Sequence, residues 1–187
     1  MQLSRAALNG RWAWTSAAAV GALAVLSGLD TVLRARTGYG ASDLQNVPTG
    51  WGIRVIMDHW TALPDAALAG FALGFDYLFM PLYGAALYFG SIAARERFAP
   101  KPGRLSRIMA IFAMAPVAGA LFDACENGLQ IFMLAHGPTD MLAQLALRAT
   151  FAKFTGVFIG LVLSFAAAAG LFMTAKKKDE NDGGPQA

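Results

Sequence analysis

Residues 107–135 read RIMAIFAMAPVAGALFDACENGLQIFMLA, and this stretch decides the fold. From Ile108 to Phe122 it contains no hydrogen-bonding side chain, and a run of about 20 apolar residues is long enough to cross a hydrocarbon core about 30 Å thick. Three further apolar stretches have the required length, at residues 11–33, 66–93 and 141–175. The sequence therefore predicts an all-α integral membrane four-helix bundle, a single four-span domain over residues 1–178.

The composition agrees with a membrane protein. Of the 187 residues 56% are apolar and 14% are charged, whereas soluble domains average about 25% charged residues. The sequence contains no glycine-rich phosphate loop, serine nucleophile elbow or Cys/His cluster, so it assigns no cofactor. Its one cysteine, Cys125, is expected to be a small buried side chain.

Basic residues predict the orientation, because Lys and Arg of short loops remain on the cytoplasmic side. Ten of them flank the spans at the ends that this rule places inside: Arg5, Arg11, Arg95, Arg97, Lys101, Arg104, Arg107, Lys176, Lys177 and Lys178. Both termini are therefore predicted to be cytoplasmic, and residues 179–187 to form a disordered cytoplasmic tail. This topology accounts for the net charge of +3, so the bilayer is the expected partner and no nucleic acid is.

A short helix is predicted on the outer surface before the second span. Within residues 51–63, Ile53, Met57 and Trp60 recur at helical spacing, and Pro64 ends the segment. We expect this helix to lie in the membrane interface.

Charged residues inside the spans fall at one depth. Counted from the cytoplasmic ends at 1.5 Å per residue, they lie about 24 to 32 Å deep; they are Asp30, Asp76, Asp123, Glu126 and Lys153. Because a charge near the bilayer centre costs at least a few kcal/mol, each requires a partner, a cavity or a function.

Helical angles place these groups on particular faces. Asp30 continues a line through Ser16, Ala19, Leu23 and Ser27, Asp76 shares a face with Tyr83, and Gly119, Asp123, Glu126, Asn127 and Gln130 form one polar stripe. Lys153, the expected internal counter-ion, shares a face with Gly156, Gly160 and Ser164. Small-residue ridges of this kind let helices approach closely, and we expect them to be able to support a homo-oligomer.

The acids outnumber the cations of this layer, so at least one is expected to hold a proton near neutral pH. The leading hypothesis is a pocket in the outer leaflet that binds a lipid-like or small cationic ligand and can perform acid/base chemistry. Its candidate catalytic residues are Glu126, Asp76 and Asp123, and its candidate ligand-binding residues are Asn127, Tyr83, Gln130, Asp30, Lys153 and His59.

Two alternatives remain open. In one, the polar layer is purely structural and the protein is a non-catalytic assembly or helper subunit. In the other, the protein is a proton-coupled transporter, although the cytoplasmic half of the spans lacks a continuous polar path, and a site opening outward or sideways into the outer leaflet fits better. A metal site of Asp123, Glu126 and a histidine is not expected, because the Glu-x-x-His pairing typical of bundle metal sites is absent.

Two strings, Asp76-Tyr77-Leu-Phe79-Met-Pro-Leu-Tyr83 and Asp123-Ala-Cys-Glu126-Asn127, carry a resemblance. The sequence resembles a group of small four-span bacterial membrane proteins, in which an Asp-Tyr/Phe on the second helix faces an Asp-x-x-Glu-Asn on the third. The resemblance implies no activity. It implies a site formed by Asp76, Tyr83, Asp123, Glu126 and Asn127. The expected location is a bacterial inner membrane.

Overall fold

A computed structural model describes residues 4–61 and 63–182 and shows an all-α protein. Its helices are α1 (Arg5–Thr37), α2 (Gly50–Asp58), α3 (Leu63–Phe98), α4 (Arg104–Ala113), α5 (Ala115–His136) and α6 (Asp140–Asp182), with a 3-10 turn at Ala41–Asn46. The described residues contain no strand.

Four helical segments are long and apolar enough to cross a membrane, as the sequence predicts. They are Arg5–Thr37, Pro64–Phe98, Arg104–His136 and Asp140–Leu171. Their outward faces carry large exposed apolar side chains, among them Trp14, Phe71, Phe122, Phe151 and Phe158. This arrangement is compatible with a multi-pass membrane protein, because lipid rather than water can cover such faces.

The third span is interrupted about a third of the way along its length. Its helix ends at Ala113 and restarts at Ala115, so α4 and α5 meet at Met114, two residues before Pro116. A proline inside a helix lacks the backbone donor and clashes with the preceding turn, which accounts for a break at this place. By contrast, α3 continues through Pro81.

One end of the bundle is covered by α2 and the 3-10 turn. Ile53, Ile56 and Trp60 are buried there against Leu33 of α1 and Met133 of α5. The segment is thus a helix, as predicted, but α2 ends at Asp58, and its apolar face is packed on the bundle. The end that the positive-inside rule places outside is therefore closed by an apolar cap.

The four spans do not pack symmetrically. α3 lies at the centre and contacts α1, α5 and α6, and α5 makes its most extensive contact with α6. α1 packs chiefly on α3, and it makes no comparable contact with α6 within the described residues. The bundle consequently has an open side between α1 and α6.

Two expectations need correction. Cys125 is exposed on α5 rather than buried, because α5 turns its polar stripe inward and this residue points away from it. The tail predicted from residue 179 is helical as far as Asp182, where α6 ends, and residues 183–187 lie outside the described part of the chain.

Candidate functional site

A cavity of about 930 Å³ follows the open side of the bundle. Its walls come from α1 and α6, and its floor from α3 and α5. On α1 it is lined by Ser16, Ala19, Leu23, Ser27 and Asp30, which is the face that the sequence predicts for this helix. On α6 it is lined by Lys153, Phe154, Val157, Leu161, Ser164 and Phe165, among others. We call this cavity the lateral groove.

The lateral groove opens sideways. Leu23 on its α1 wall is 48% exposed, and Phe154 and Phe165 on its α6 wall are 52% and 70% exposed. Lining side chains with this exposure show that the groove is not sealed between the two helices. For the part of the chain that the structure describes, access is therefore from the side of the bundle, since the apolar cap covers the end that carries α2.

Three of the charged side chains form a compact buried triad. Lys153 Nζ lies 3.0 Å from Asp123 Oδ1 and 2.7 Å from Glu126 Oε2. All three residues are at most 5% exposed. Asp123 and Glu126 reach the same lysine because residues three apart lie on one face of a helix.

Two neighbouring side chains complete the hydrogen bonding of this triad. Tyr83 of α3 donates its hydroxyl to Asp123 Oδ2 at 3.0 Å. Gln130 donates its side-chain amide to Glu126 Oε1 at 2.9 Å, one turn along α5. The triad is therefore held from three helices, which fixes the register of α3, α5 and α6.

The fourth acid, Asp76, has no cation beside it in the described structure. Its Oδ2 accepts a hydrogen bond of 2.8 Å from the side-chain amide of Asn127, which also donates to the carbonyl of Leu73. Asp76 is half-buried and lines the lateral groove. An amide donor offsets only part of the charge of an ionised carboxylate, so this position favours a cation from outside the protein.

Two buried side-chain amide oxygens at the groove lack a partner among the described residues. They are Asn127 Oδ1 and Gln130 Oε1, on residues that are each 1% exposed. Both residues line the lateral groove. In each amide the nitrogen and the oxygen can be told apart, because one of the two atoms lies against a carboxylate oxygen and must be the N–H donor. A buried acceptor left unsatisfied costs about 1–3 kcal/mol, so both oxygens favour a donor from outside the protein.

The structure brings most of the predicted site residues together, with two exceptions. Asp123, Asn127, Tyr83, Gln130, Lys153 and Asp76 all line the groove, and Asp30 lies at its end. Glu126 is fully buried behind them and does not line the groove. His59 is exposed at the end of α2, where Nδ1 lies 2.7 Å from the Val55 carbonyl oxygen and the ring packs edge-on against Tyr39.

Asp30 has a structural partner of its own. Its two carboxylate oxygens accept from the backbone amide and the hydroxyl of Ser42, at 2.9 and 3.0 Å. Arg34 bridges Asp30 and Asp43 at the same place. This carboxylate therefore holds the 3-10 turn against α1, and the groove ends at it.

Sequence reasoning did not identify the apolar wall of the groove. Phe154, Val157 and Leu161 are ordinary residues of an apolar span, and no pattern distinguishes them from side chains that face lipid. The one feature of the sequence that could have indicated them is that they follow Lys153 within about two helical turns. Their role depends on α1 standing away from α6.

Comparisons with protein-family models, with curated proteins and with solved structures find no match to this chain. The resemblance to small four-span bacterial proteins thus stays a prediction. Among the residues that the structure describes, no group of three or more His, Cys, Asp or Glu side chains is arranged to hold a metal ion. The class that fold and site define is a four-helix protein compatible with a multi-pass membrane location, with a lateral groove beside a buried charge triad.

Proposed function

We propose that this chain is a multi-pass protein of a bacterial inner membrane that binds a lipid-like molecule in its lateral groove. The apolar chain of the ligand lies between α1 and α6, and its polar head lies at Asp76. The observation that carries this proposal is the meeting of an apolar, sideways-open groove with unpartnered buried acceptors at its floor.

The dimensions support a ligand of this kind. The groove volume of about 930 Å³ lies within the range of about 300–1,000 Å³ that small-molecule sites occupy. Its walls are mostly apolar, and a few polar groups converge at one place, which is the usual composition of such sites. An opening toward the side lets a molecule enter from the bilayer without crossing water.

The predicted orientation places the head in the outer leaflet. Asp76, Asn127 and Gln130 lie toward the end capped by α2, and the groove continues from them to Trp12 and Ser164 near the other end. With both termini in the cytoplasm, an outer-leaflet lipid would enter head-outward in its normal orientation. The bilayer itself would thereby align the ligand.

If the protein is an enzyme, Asp76 is the acid best placed to act. Both oxygens of Asp123 are occupied, by Tyr83 and Lys153, and Glu126 does not reach the groove. Asp76 lines the groove and has one oxygen, Oδ1, without a hydrogen-bond partner in the described structure. Proton transfer to or from a bound head group would therefore use Asp76, with Asn127 orienting the carboxylate.

A helper or assembly subunit is the second candidate, and the paired triad favours it. Lys153 compensates Asp123 and Glu126 in the way expected of a purely structural lock. Transport has no comparable support, because Leu8, Ala93, Ala94 and Ala167 pack together at the end predicted to be cytoplasmic.

Photo-crosslinking tests ligand binding. Purified protein in detergent is mixed with a 16-carbon amphiphile that carries a diazirine in its chain, and labelled residues are mapped by mass spectrometry. We expect labels to concentrate on groove residues such as Leu23 and Leu161, because a bound chain stays beside them.

Two matched variants provide the control. Leu23→Trp places a larger side chain in the groove and is expected to lower labelling several-fold. Val25→Trp lies on the same helix at similar exposure, 46% against 48%, but outside the groove lining, so it should leave labelling unchanged. Labels spread evenly over lipid-facing residues such as Phe71 and Phe122, with no effect of Leu23→Trp, would contradict the proposal.

A further inference from the structure

We infer that the ligand head is a primary ammonium group without a phosphate, so that the site takes a long-chain amine or amino alcohol. This inference rests on the proposed function, since it specifies the head of the molecule whose chain occupies the lateral groove. It depends on the unpartnered oxygens beside Asp76 and on the charge of the groove floor.

The unpartnered amide and carboxylate oxygens near Asp76 are acceptors, and the unpartnered hydroxyl of Ser164 lies farther along the groove. Asp76 Oδ1, Asn127 Oδ1 and Gln130 Oε1 each lack a hydrogen-bond donor among the described residues. A primary ammonium carries three N–H donors and no acceptor, so it can donate to Asp76 Oδ1 and to neighbouring acceptors of this kind. A trimethylammonium has no N–H group, so it would leave the buried amide oxygens unsatisfied.

The charge of the groove floor favours a cation. With all groups ionised, Asp123 and Glu126 carry two negative charges against the one positive charge of Lys153, and Asp76 adds a third negative charge. A carboxylate head would be repelled, and an alcohol would supply a single donor without offsetting charge. An ammonium reduces the excess of negative charge. It also forms charge-assisted hydrogen bonds, which are roughly twice as strong as hydrogen bonds between neutral groups.

The surroundings do not favour a phosphate. Lys153 is already shared by two carboxylates, and Arg34, at the outer end of the groove, is paired with Asp30 and Asp43. A phosphate beside the amine would therefore lie near Asp30 and Asp76 and have no unengaged cation among the described residues there. This argues for an amine on an apolar chain rather than for a phospholipid head.

The test is a competition series in which only the head differs. Crosslinking of the diazirine amphiphile is measured in the presence of hexadecylamine, hexadecyltrimethylammonium, hexadecanol or palmitate. We expect hexadecylamine to compete about tenfold better than the trimethylammonium and alcohol compounds, and palmitate to compete least, because only the amine forms charge-assisted hydrogen bonds to the carboxylate.

A pair of variants assigns the effect to Asp76. Asp76→Asn keeps an oxygen that can accept from Asn127 but removes the charge, so the amine should lose its advantage while hexadecanol competes as before. Asp58→Asn makes the same change at an exposed position outside the groove lining, and it should leave the series unchanged. If Asp76→Asn does not fold, the order in which the four compounds compete on the unaltered protein tests the ammonium assignment by itself.

The outcomes separate this inference from the proposed function. If all four heads compete equally and Leu23→Trp still abolishes labelling, the groove binds chains but the ammonium assignment is overturned. If no compound competes and labelling is uniform over the lipid-facing surface, both are overturned. A preference for the amine that disappears in Asp76→Asn supports both.

Discussion

Lys153 lies between two carboxylates, and its contacts differ from those of the other cation on the same span. Its Nζ is within 3.0 Å of Asp123 and Glu126, whereas Arg148 is exposed. Such a triad need not stabilise the fold relative to an apolar replacement, because desolvation of the charges offsets much of their attraction. It does penalise the loss of a single member, since an unpaired charge then remains buried.

Replacing the lysine alone is therefore expected to be costly. Lys153→Met should lower the free energy of unfolding by about 3–5 kcal/mol, because two buried carboxylates lose their cation. The measurement is SDS-induced unfolding of the protein in mixed micelles, followed by circular dichroism. Arg148→Met is the matched control and should change the value by less than about 0.5 kcal/mol.

A triple variant separates charge pairing from packing. Lys153→Met combined with Asp123→Asn and Glu126→Gln removes all three charges, so most of the lost stability should return. If the triple variant is as unstable as Lys153→Met, this explanation is contradicted. The lost stability would then be due to the shape of the Lys153 side chain rather than to its charge.

Much of this residue-scale pattern could be predicted. The spacing of Asp123, Glu126, Asn127 and Gln130 places them on one helical face, and Lys153 is the cation at their depth. The sequence could not say which acid Lys153 pairs with and which faces the groove. That division depends on the rotation of α3 and α5 about their axes, which distant packing contacts decide.

At the scale of elements, close contact between α5 and α6 positions the triad. Gly119 and Gly156 face each other across this interface, where a Cβ added at Gly156 would lie 3.0 Å from the Cα of Gly119 and closer still to the carbonyl oxygen of Ala115. Gly160 is likewise packed, against Leu87 and Pro116. The ridge predicted from Gly156 and Gly160 thus packs within this chain, whereas a Cβ added at Gly70 would meet no atom within 4 Å.

This contrast predicts opposite effects of one substitution at two glycines. Gly156→Ala should destabilise the protein by about 1–3 kcal/mol, because the neighbours of the added methyl group are backbone atoms that cannot turn aside. Gly70→Ala should stabilise it by about 0.5–1 kcal/mol, since alanine is the better helix former and nothing lies within 4 Å. Thermal unfolding in detergent measures both, and equal shifts in the same direction would contradict the close packing of α5 on α6.

At the scale of the whole molecule, the open side between α1 and α6 and the apolar cap determine access. The cap closes one end of the bundle through Trp60 and its neighbours, and within the described residues α1 packs chiefly on α3. A ligand would consequently reach Asp76 from the side. Which end of the bundle faces the cytoplasm is predicted from the basic residues of the loops.

The orientation is directly measurable. Cys125 is the one cysteine of the chain, so Cys125→Ser gives a background for single introduced cysteines. In intact spheroplasts an impermeant maleimide should label Trp51→Cys on α2 and leave Lys101→Cys, between α3 and α4, unlabelled until the membrane is permeabilised. The reverse pattern would place the head site in the inner leaflet.

The sequence by itself predicted the number of apolar helices long enough to cross a membrane, the shared face of the polar residues on α5 and the identity of their cation, Lys153. These follow from local properties: hydropathy over about 20 residues, helical periodicity and a rise of 1.5 Å per residue. Only the tertiary structure decided that α1 stands apart from α6, that Lys153 binds Asp123 and Glu126, and that Asp76 is left facing a groove. Those features depend on contacts between residues far apart in the chain, such as Gly119 with Gly156 and Leu33 with Trp60, which no single helix encodes.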